Sequence, residues 1–160
     1  MRPGDLAAVV RPTATAQVEQ KYTSDMASRV IAGLLYPLPS DELKMAVRTE
    51  TPQKEGKKYN VPLEVVIPID KITFLRSSNG SYQGRVTVHY AAAAEKEFVS
   101  YGRQDQVIEL TQQQYREMLR IRYRYTSSIT VPKGKIRIAL GVVDTTSRLS
   151  SLQTVNLVAQ

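Results

Sequence analysis

Six basic residues in the C-terminal third of the chain form the strongest chemical signal in the sequence. Residues 116–137 hold seven Lys and Arg residues against Glu117 alone, and the whole chain carries a formal net charge of +7. Several cations on one strand face are typical of a surface that binds nucleic acid, a polyanionic glycan or anionic lipid. The predicted polyanion-binding face comprises Arg120, Arg122, Arg124, Lys133, Lys135 and Arg137. The competing interpretation is a solvated outer face that discourages edge-to-edge aggregation.

Residues that would support catalysis are sparse. His89 is the only histidine and cysteine is absent, so the usual Ser-His-Asp triad and His- or Cys-based zinc sites are hardly available. By alternation His89 falls on the polar face of its strand, which predicts a surface or edge histidine. The carboxylate clusters, Asp41 with Glu42 and Glu95 with Glu97, lie in predicted turns, and no Gly-rich phosphate loop is present. We therefore predict no catalytic residue, no metal site, no cofactor and no small-molecule substrate.

The basic residues lie on two predicted strands within Arg120–Asp144. In the first strand Arg122 and Arg124 alternate with Tyr123 and Tyr125, so the arginines face one side and the tyrosines the other. Inward tyrosines belong to the core and do not form a stacking platform for bases. The second strand alternates through Ile136, Ile138, Leu140 and Val142.

A turn at Pro132-Lys133-Gly134 separates these two strands. Direct pairing in a hairpin would place Val131 opposite Ile136, and the apolar residues of both strands would then share a face. Two strands in opposed sheets produce the same pattern, so both arrangements remain open.

The rest of the chain after residue 40 also favours short strands. Alternating or apolar runs are separated by turn signals, of which Asn79-Gly80 is the strongest. Pro62 within the long strand around Tyr59–Ile67 predicts an edge position or a bulge. Residues 112–119 follow a possible capping box at Thr111 and predict either a short helix or extended chain. The predicted runs are Leu43–Thr49, Tyr59–Ile67, Ile72–Leu75, Tyr82–Tyr90, Phe98–Tyr101, Val107–Leu110 and Leu152–Val158, besides the two basic strands.

This pattern predicts an all-β fold, an immunoglobulin-like or fibronectin-like antiparallel β-sandwich of about seven or eight strands with one short N-terminal helix. Residues 1–22 are interpreted as a linker or the tail of an upstream domain. Residues 23–39 are predicted to form a short helix packing on the sandwich, with Ser24 as its cap and Ala27, Val30, Ile31, Leu34 and Leu35 at helical spacing. Residues 40–160 form the predicted β-sandwich domain.

Two sequence features bear on membranes and export. No run of 18 apolar residues exists, so we expect no transmembrane segment. The first residues lack an apolar run of signal-peptide length, and we identify no signal peptide in this chain.

Four stretches resemble the C-terminal part of the acidobacterial VWFA-related domain proteins. They are Arg2-Pro3-Gly4, Val30–Pro37, Val61–Asp70 with Phe74, and Val131–Arg137 followed by Val143-Asp144. The resemblance implies a β-sandwich region that follows a von Willebrand factor A-like domain in an exported protein, and hence an extracytoplasmic location. The A-domain metal loop, Asp-x-Ser-x-Ser, is not matched by Asp144-Thr145-Thr146-Ser147, so the metal-dependent adhesion of that domain is not carried over.

The sequence therefore indicates a non-enzymatic structural or protein-interaction module of a larger, exported bacterial protein. Its expected partner is another protein or another domain of the parent chain. The alternative is a polyanion-binding module that uses the basic strand face.

Overall fold

The computed structural model describes residues 25–95 and 97–160, which form an all-β sandwich of two antiparallel sheets. The predicted fold class is confirmed. Ten strands lie within the described residues, more than the seven or eight predicted, because three of them contain only two or three residues. They are β1 (Ser40–Asp41), β2 (Ala46–Thr49), β3 (Gln53–Glu55), β4 (Lys58–Pro68), β5 (Leu75–Arg76), β6 (Tyr82–Ala94), β7 (Glu97–Leu110), β8 (Arg122–Val131), β9 (Gly134–Asp144) and β10 (Ser150–Ala159).

The larger sheet, sheet I, has the order β1-β10-β9-β6-β5, and β7 pairs with β6. Strand β6 is central because β7 pairs along its whole length while β9 pairs with its second part, Val86–Ala94. One face of sheet I points into the sandwich core through Val86, Val88, Ile138 and Leu140. We call the opposite face, which presents Ala91, Ala139 and Val143, the outer face of sheet I.

The smaller sheet, sheet II, is built around β4, which pairs with β8 on one side and with β2 and β3 on the other. Of the two arrangements predicted from Pro62, the edge position is therefore wrong, whereas a bulge agrees with the register: Thr49 pairs with Leu63 and Gln53 with Asn60, so three residues lie opposite two of β4. The Pro62 carbonyl accepts a hydrogen bond from the Glu50 amide (3.1 Å), in the interval between β2 and β3. The Pro62 nitrogen points to the same side, where no strand requires a donor from it.

The two basic strands do not form a hairpin. Strand β8 pairs with β4 in sheet II, whereas β9 pairs with β6 and β10 in sheet I. The turn at Pro132-Lys133-Gly134 therefore carries the chain from one sheet to the other, and Gly134 supplies a φ of 122° there. Both strands are apolar toward the core, which is why alternation alone was compatible with either arrangement.

The first described helix, α1 (residues 25–33), packs on the outer face of sheet I. Met26, Val30 and, just after the helix, Leu34 are buried against Ala91, Ala139, Val143 and Leu152. The buried face of α1 differs from the predicted apolar face by part of a turn. Met26 is buried, whereas Ile31 and Leu35, which were predicted to lie on the apolar face, are exposed. The interpretation of residues 1–22 and the Ser24 cap lie outside the described residues.

A second short helix, α2 (Gln112–Arg116), confirms the capping box. Thr111 Oγ1 accepts from the Gln114 amide (3.1 Å), and Gln114 Oε1 accepts from the Thr111 amide (2.9 Å). Two 3-10 turns, Ile69–Lys71 and Met118–Arg120, lie beside each other.

Two predicted strand boundaries were wrong. Residues 72–74 are not in a strand, and β7 is continuous where two separate strands were predicted. The polar stretch in the middle of β7 lies at an exposed sheet edge, so it carries little apolar alternation to detect.

Candidate functional site

The six residues of the predicted basic face do not share one surface. Arg122 and Arg124 lie exposed on β8 of sheet II, and Arg120 ends the 3-10 turn before that strand. Lys133 is in the intersheet turn, and Lys135 and Arg137 lie on the outer face of sheet I. The expectation that Lys135 and Arg137 flank the arginines is corrected, because β8 and β9 belong to opposite layers of the sandwich.

Two of these basic side chains already have partners within the chain. Arg124 forms a salt bridge with Glu64 of β4 (2.9 Å). Arg137 donates from Nε to Asn156 Oδ1 (2.9 Å) and from Nη1 to the Leu34 carbonyl (3.0 Å). Because Leu34 follows the last turn of α1, Arg137 satisfies a carbonyl at the negative end of that helix.

The tyrosines of β8 point into the core, as predicted. The Tyr123 hydroxyl donates to Gln106 Oε1 (3.1 Å), and the Tyr125 hydroxyl donates to Gln104 Oε1. These bonds join β8 of sheet II to β7 of sheet I and satisfy polar atoms in the sandwich interior. Burial raises the pKa of both tyrosines above the ordinary range.

His89 is fully buried, and the prediction of a surface histidine is wrong. It lies on the outer face of sheet I, where Gly141 is its neighbour on β9 and Arg103 its neighbour on β7. The residue opposite it, Gly141, is in turn close to Met26 and Val30 of α1. Alternation predicts the face of a residue but not whether another element covers that face.

The surroundings of His89 keep it uncharged at neutral pH. Burial, with the positive charge of Arg103, lowers the pKa of His89 to about 4 against the opposing effect of Asp105. His89 Nδ1 shares a 2.8 Å hydrogen bond with the Tyr101 hydroxyl. Within the described part of the chain, His89 Nε2 is buried without a hydrogen-bond partner.

The first carboxylate cluster of the sequence, Asp41 with Glu42, serves local structure. Asp41 Oδ1 accepts from the Met45 amide (2.8 Å) and the Ser151 hydroxyl (3.0 Å), and Glu42 Oε1 accepts from the Ser150 amide (3.2 Å). These bonds hold residues 41–45 against the start of β10.

Asp144 has a similar structural role. It is fully buried, and its two oxygens accept from the Thr73, Thr146 and Ser147 amides at 2.7, 3.0 and 3.3 Å. Residues 25–95 and 97–160 contain no group of three or more His, Cys, Asp or Glu side chains placed to hold a metal ion.

An apolar groove of about 800 Å³ lies on the outer face of sheet I, beyond the end of α1. Helix α1 is shorter than the strands beneath it, so it covers Ala139 and Gly141 but leaves the far end of the face open. We call this surface the apolar groove. Its apolar lining residues are Ile31, Leu34, Leu35, Ala93, Ala94, Phe98, Ile136, Leu157 and Val158, and its polar ones are Glu95, Glu97, Lys135, Arg137 and Asn156.

This groove was not predicted from the sequence. The run from Leu34 to Leu38 was the sequence signal that could have indicated it, because this run contains more apolar side chains than one helix face can bury. Leu35 is 75% exposed, and Tyr36 and Leu38 are each 76% exposed. Phe98, on the opposite side of the groove, is 55% exposed.

No family model and no curated protein matches the chain. Among solved structures, the chain is similar to the X-ray structure of Northeast Structural Genomics Consortium target SoR45. The similarity has a TM-score of 0.40 and 13% sequence identity, and it covers 72% of this chain and 83% of that chain.

No helix in the described ranges is long and apolar enough to cross a membrane.

Proposed function

We propose that this chain is a non-enzymatic β-sandwich module that binds another protein, or another domain of its parent chain, through the apolar groove. The observation that carries the proposal is the incomplete cover of the outer face of sheet I. A sheet face that presents Ala93, Phe98 and Val158 is stabilised when a second layer removes it from water. Helix α1 supplies that layer over only part of the face.

The exposed side chains around the groove favour an interaction surface. Ile31, Leu35, Phe98 and Val158 are four of the large apolar residues that remain exposed among the described residues, and all four line this one groove. Clustered exposed apolar side chains with a polar rim are typical of protein-binding surfaces, whereas scattered ones are not.

A protein partner fits the groove better than a small molecule. Small-molecule sites generally enclose the ligand and direct several polar groups at it. Here the guanidinium of Arg137 is already bonded to Leu34 and Asn156, and Glu95, Glu97 and Lys135 lie at the rim.

The non-enzymatic part of the proposal is supported by the positions of the chemical groups. His89 has no exposed surface, and Asp144 accepts hydrogen bonds from three backbone amides. Asp41 and Glu42 form hydrogen bonds that hold residues 41–45 against the start of β10. We further propose that the module belongs to a larger, exported bacterial protein, and the resemblance of its sequence to the VWFA-related proteins is the support for this setting. The division of the basic residues between two sheets weakens the polyanion-binding alternative.

Site-specific crosslinking in the parent protein, expressed in its own cells, tests the proposal. A photoreactive phenylalanine analogue at position 98 is expected to form a covalent adduct with a partner protein or with another domain. The same analogue at Leu119, which is 83% exposed but does not line the groove, is the matched control.

Two results would contradict the proposal. One is equal adduct formation at positions 98 and 119, or none at either, which would leave the groove without a specific partner. The other is a hydrolytic or transferase activity of the purified chain that a single substitution abolishes, which would overturn the non-enzymatic assignment.

A further inference from the structure

Strand β7 is an open edge of sheet I. It pairs with β6 along its whole length, and no other strand of the described ranges pairs with its second side. In its middle, Arg103 and Asp105 are exposed on the outer face of sheet I, and Gln104 is exposed on the core-side face. Both faces of this stretch are therefore open to solvent. An edge of this kind presents unpaired backbone N–H and C=O groups that a further strand can bond.

The charges on β7 differ in kind from those on β8, an edge strand of sheet II. Among the described strands β8 pairs with β4 alone, and its exposed charges, Arg122 and Arg124, have the same sign. Like charges opposite each other oppose the pairing of two β8 strands. Strand β7 carries opposite charges two residues apart on one face, where Arg103 and Asp105 form a salt bridge of 3.1 Å. This pattern does not oppose a second β7 strand that runs in the other direction.

The faces of sheet I limit the registers in which two β7 strands can pair. Under a two-fold axis perpendicular to the sheet, each outer-face residue of one copy lies opposite an outer-face residue of the second copy. A pairing centred on Arg103 or on Asp105 would place two like charges opposite each other. A pairing centred on Gln104 places Arg103 of each copy opposite Asp105 of the second copy. Of the registers that the faces allow, this one alone joins the two charges across the strands.

We propose that the edge of β7 binds a second copy of this chain, with the two β7 strands antiparallel and centred on Gln104. The two six-stranded sheets then form one continuous sheet. The contact between Arg103 and Asp105 occurs twice, and Tyr101 lies opposite Val107 twice, as the symmetry of an isologous dimer requires. These opposite-charge and aromatic–aliphatic pairs contribute to association together with the new backbone hydrogen bonds.

Two further observations support a second copy as the partner. A strand from another protein would have to supply a matching pair of charges at the same spacing, whereas β7 itself carries that pair. Sheet II also leaves room beside β7, because Tyr125 of β8 is buried whereas Gln104, which accepts its hydroxyl, is exposed, so β8 lies inward of β7. Residues 101–107 do not line the apolar groove, so this interaction is separate from the proposed function and goes beyond it.

Disulfide trapping tests the register, because the chain contains no cysteine of its own. In the proposed dimer residue 104 lies opposite itself, with the two Cα atoms about 4.5–5.5 Å apart, a distance that a disulfide spans. We expect purified Gln104→Cys, with oxidised glutathione, to form a covalent dimer roughly tenfold faster, or more, than Glu109→Cys does. Glu109 is exposed on the same strand, but its two copies would lie about 33 Å apart in this register.

Sedimentation velocity of the full chain, from low micromolar to millimolar concentration, tests the charge contacts, and we expect a concentration-dependent dimer. Arg103→Glu alone and Asp105→Arg alone each place like charges opposite each other twice, and each is expected to raise the dissociation constant roughly tenfold or more. An equimolar mixture of these two variants restores opposite charges at both contacts and is expected to recover association. Lys54→Glu, which makes the same change of charge on an exposed strand of sheet II, is expected to leave association nearly unchanged.

A monomer at every concentration, equal trapping at positions 104 and 109, or a variant mixture that does not recover association would overturn the β7 dimer. Thermal unfolding at low concentration verifies that each variant is folded, and the cysteine variants decide the question if a charge variant is not. The proposed function is tested separately, because crosslinking from position 98 reports on the apolar groove. A chain that stays monomeric but forms an adduct with another protein from position 98 would overturn the β7 dimer and leave the proposed function standing.

Discussion

The guanidinium of Arg137 donates a hydrogen bond to the Leu34 carbonyl, 3.0 Å away, and so connects β9 to the end of α1. The same side chain donates to Asn156 on β10. One residue of the predicted polyanion-binding face thus holds the helix end on the sheet. A cation in this place satisfies a terminal carbonyl and interacts favourably with the helix dipole.

Replacing Arg137 by Met tests this structural role. The substitution keeps an unbranched apolar stem but removes both hydrogen bonds, so we expect the free energy of unfolding to fall by about 1–3 kcal/mol. Urea denaturation measures the loss. Lys133→Met removes the same charge from an exposed turn and is expected to change stability by less than about 0.5 kcal/mol. Equal losses in the two variants would show that charge, not the hydrogen bonds, is responsible.

Gly141 is required for the close approach of α1 to the sheet. A Cβ at Gly141 would lie 2.6 Å from Met26 Sδ and 2.7 Å from Val30 Cγ2, so Gly141→Ala must shift these side chains or the helix that carries them. We expect a loss of about 1–3 kcal/mol, together with faster hydrogen exchange of the α1 amides.

Gly33→Ala is the matched control for the same contact. A Cβ at Gly33 would lie 3.7 Å from Ala139 Cβ, which is an ordinary contact distance. Alanine also has the higher helix propensity, so we expect this variant to keep or raise stability, by up to about 1 kcal/mol. Destabilisation by Gly33→Ala equal to that by Gly141→Ala would contradict the packing described for α1.

His89 predicts a pH dependence of stability with a defined sign. The pKa of His89 is lowered from 6.5 to about 4 in the folded chain, so between these values the unfolded chain binds the additional proton. The contribution of uncharged His89 to the free energy of unfolding is therefore fully present above pH 6.5. It is lost as the pH decreases toward 4, and the complete loss amounts to about 3 kcal/mol. Urea denaturation at a series of pH values measures the slope.

His89→Gln removes the titrating imidazole. We expect the free energy of unfolding of this variant to depend much less on pH between 6.5 and 4, whatever its absolute stability. Tyr101→Phe removes the hydroxyl at Nδ1 but keeps the imidazole, and is expected to retain a downward slope. An unchanged slope in His89→Gln would assign the effect to other groups.

Heparin affinity chromatography tests whether the arginines of β8 form a specific polyanion site. We expect Arg122→Glu/Arg124→Glu to elute at nearly the same salt concentration as Lys54→Glu/Lys57→Glu. Both double variants change the net charge equally at exposed positions, and non-specific binding depends mainly on that charge. A much larger loss for the arginine variant would revive the polyanion-binding function.

Several features were predictable because they depend on short-range patterns. The inward direction of Tyr123 and Tyr125 follows from the two-residue period of a strand, and the Thr111–Gln114 capping box follows from spacing within one helical turn. The position of α1 followed from a helical apolar pattern, although the buried face includes Met26 and excludes Leu35.

Other features depended on which distant segments meet. Sequence alternation determined which side chains of β8 and β9 face the core, and local turn signals determined the all-β class. Only the tertiary structure decided that these strands belong to opposite sheets, that α1 covers one end of the outer face of sheet I and not the other, and that His89 is buried there. The physical reason is that a period-two pattern specifies direction within a strand, whereas strand pairing and helix docking depend on surfaces far apart in the chain.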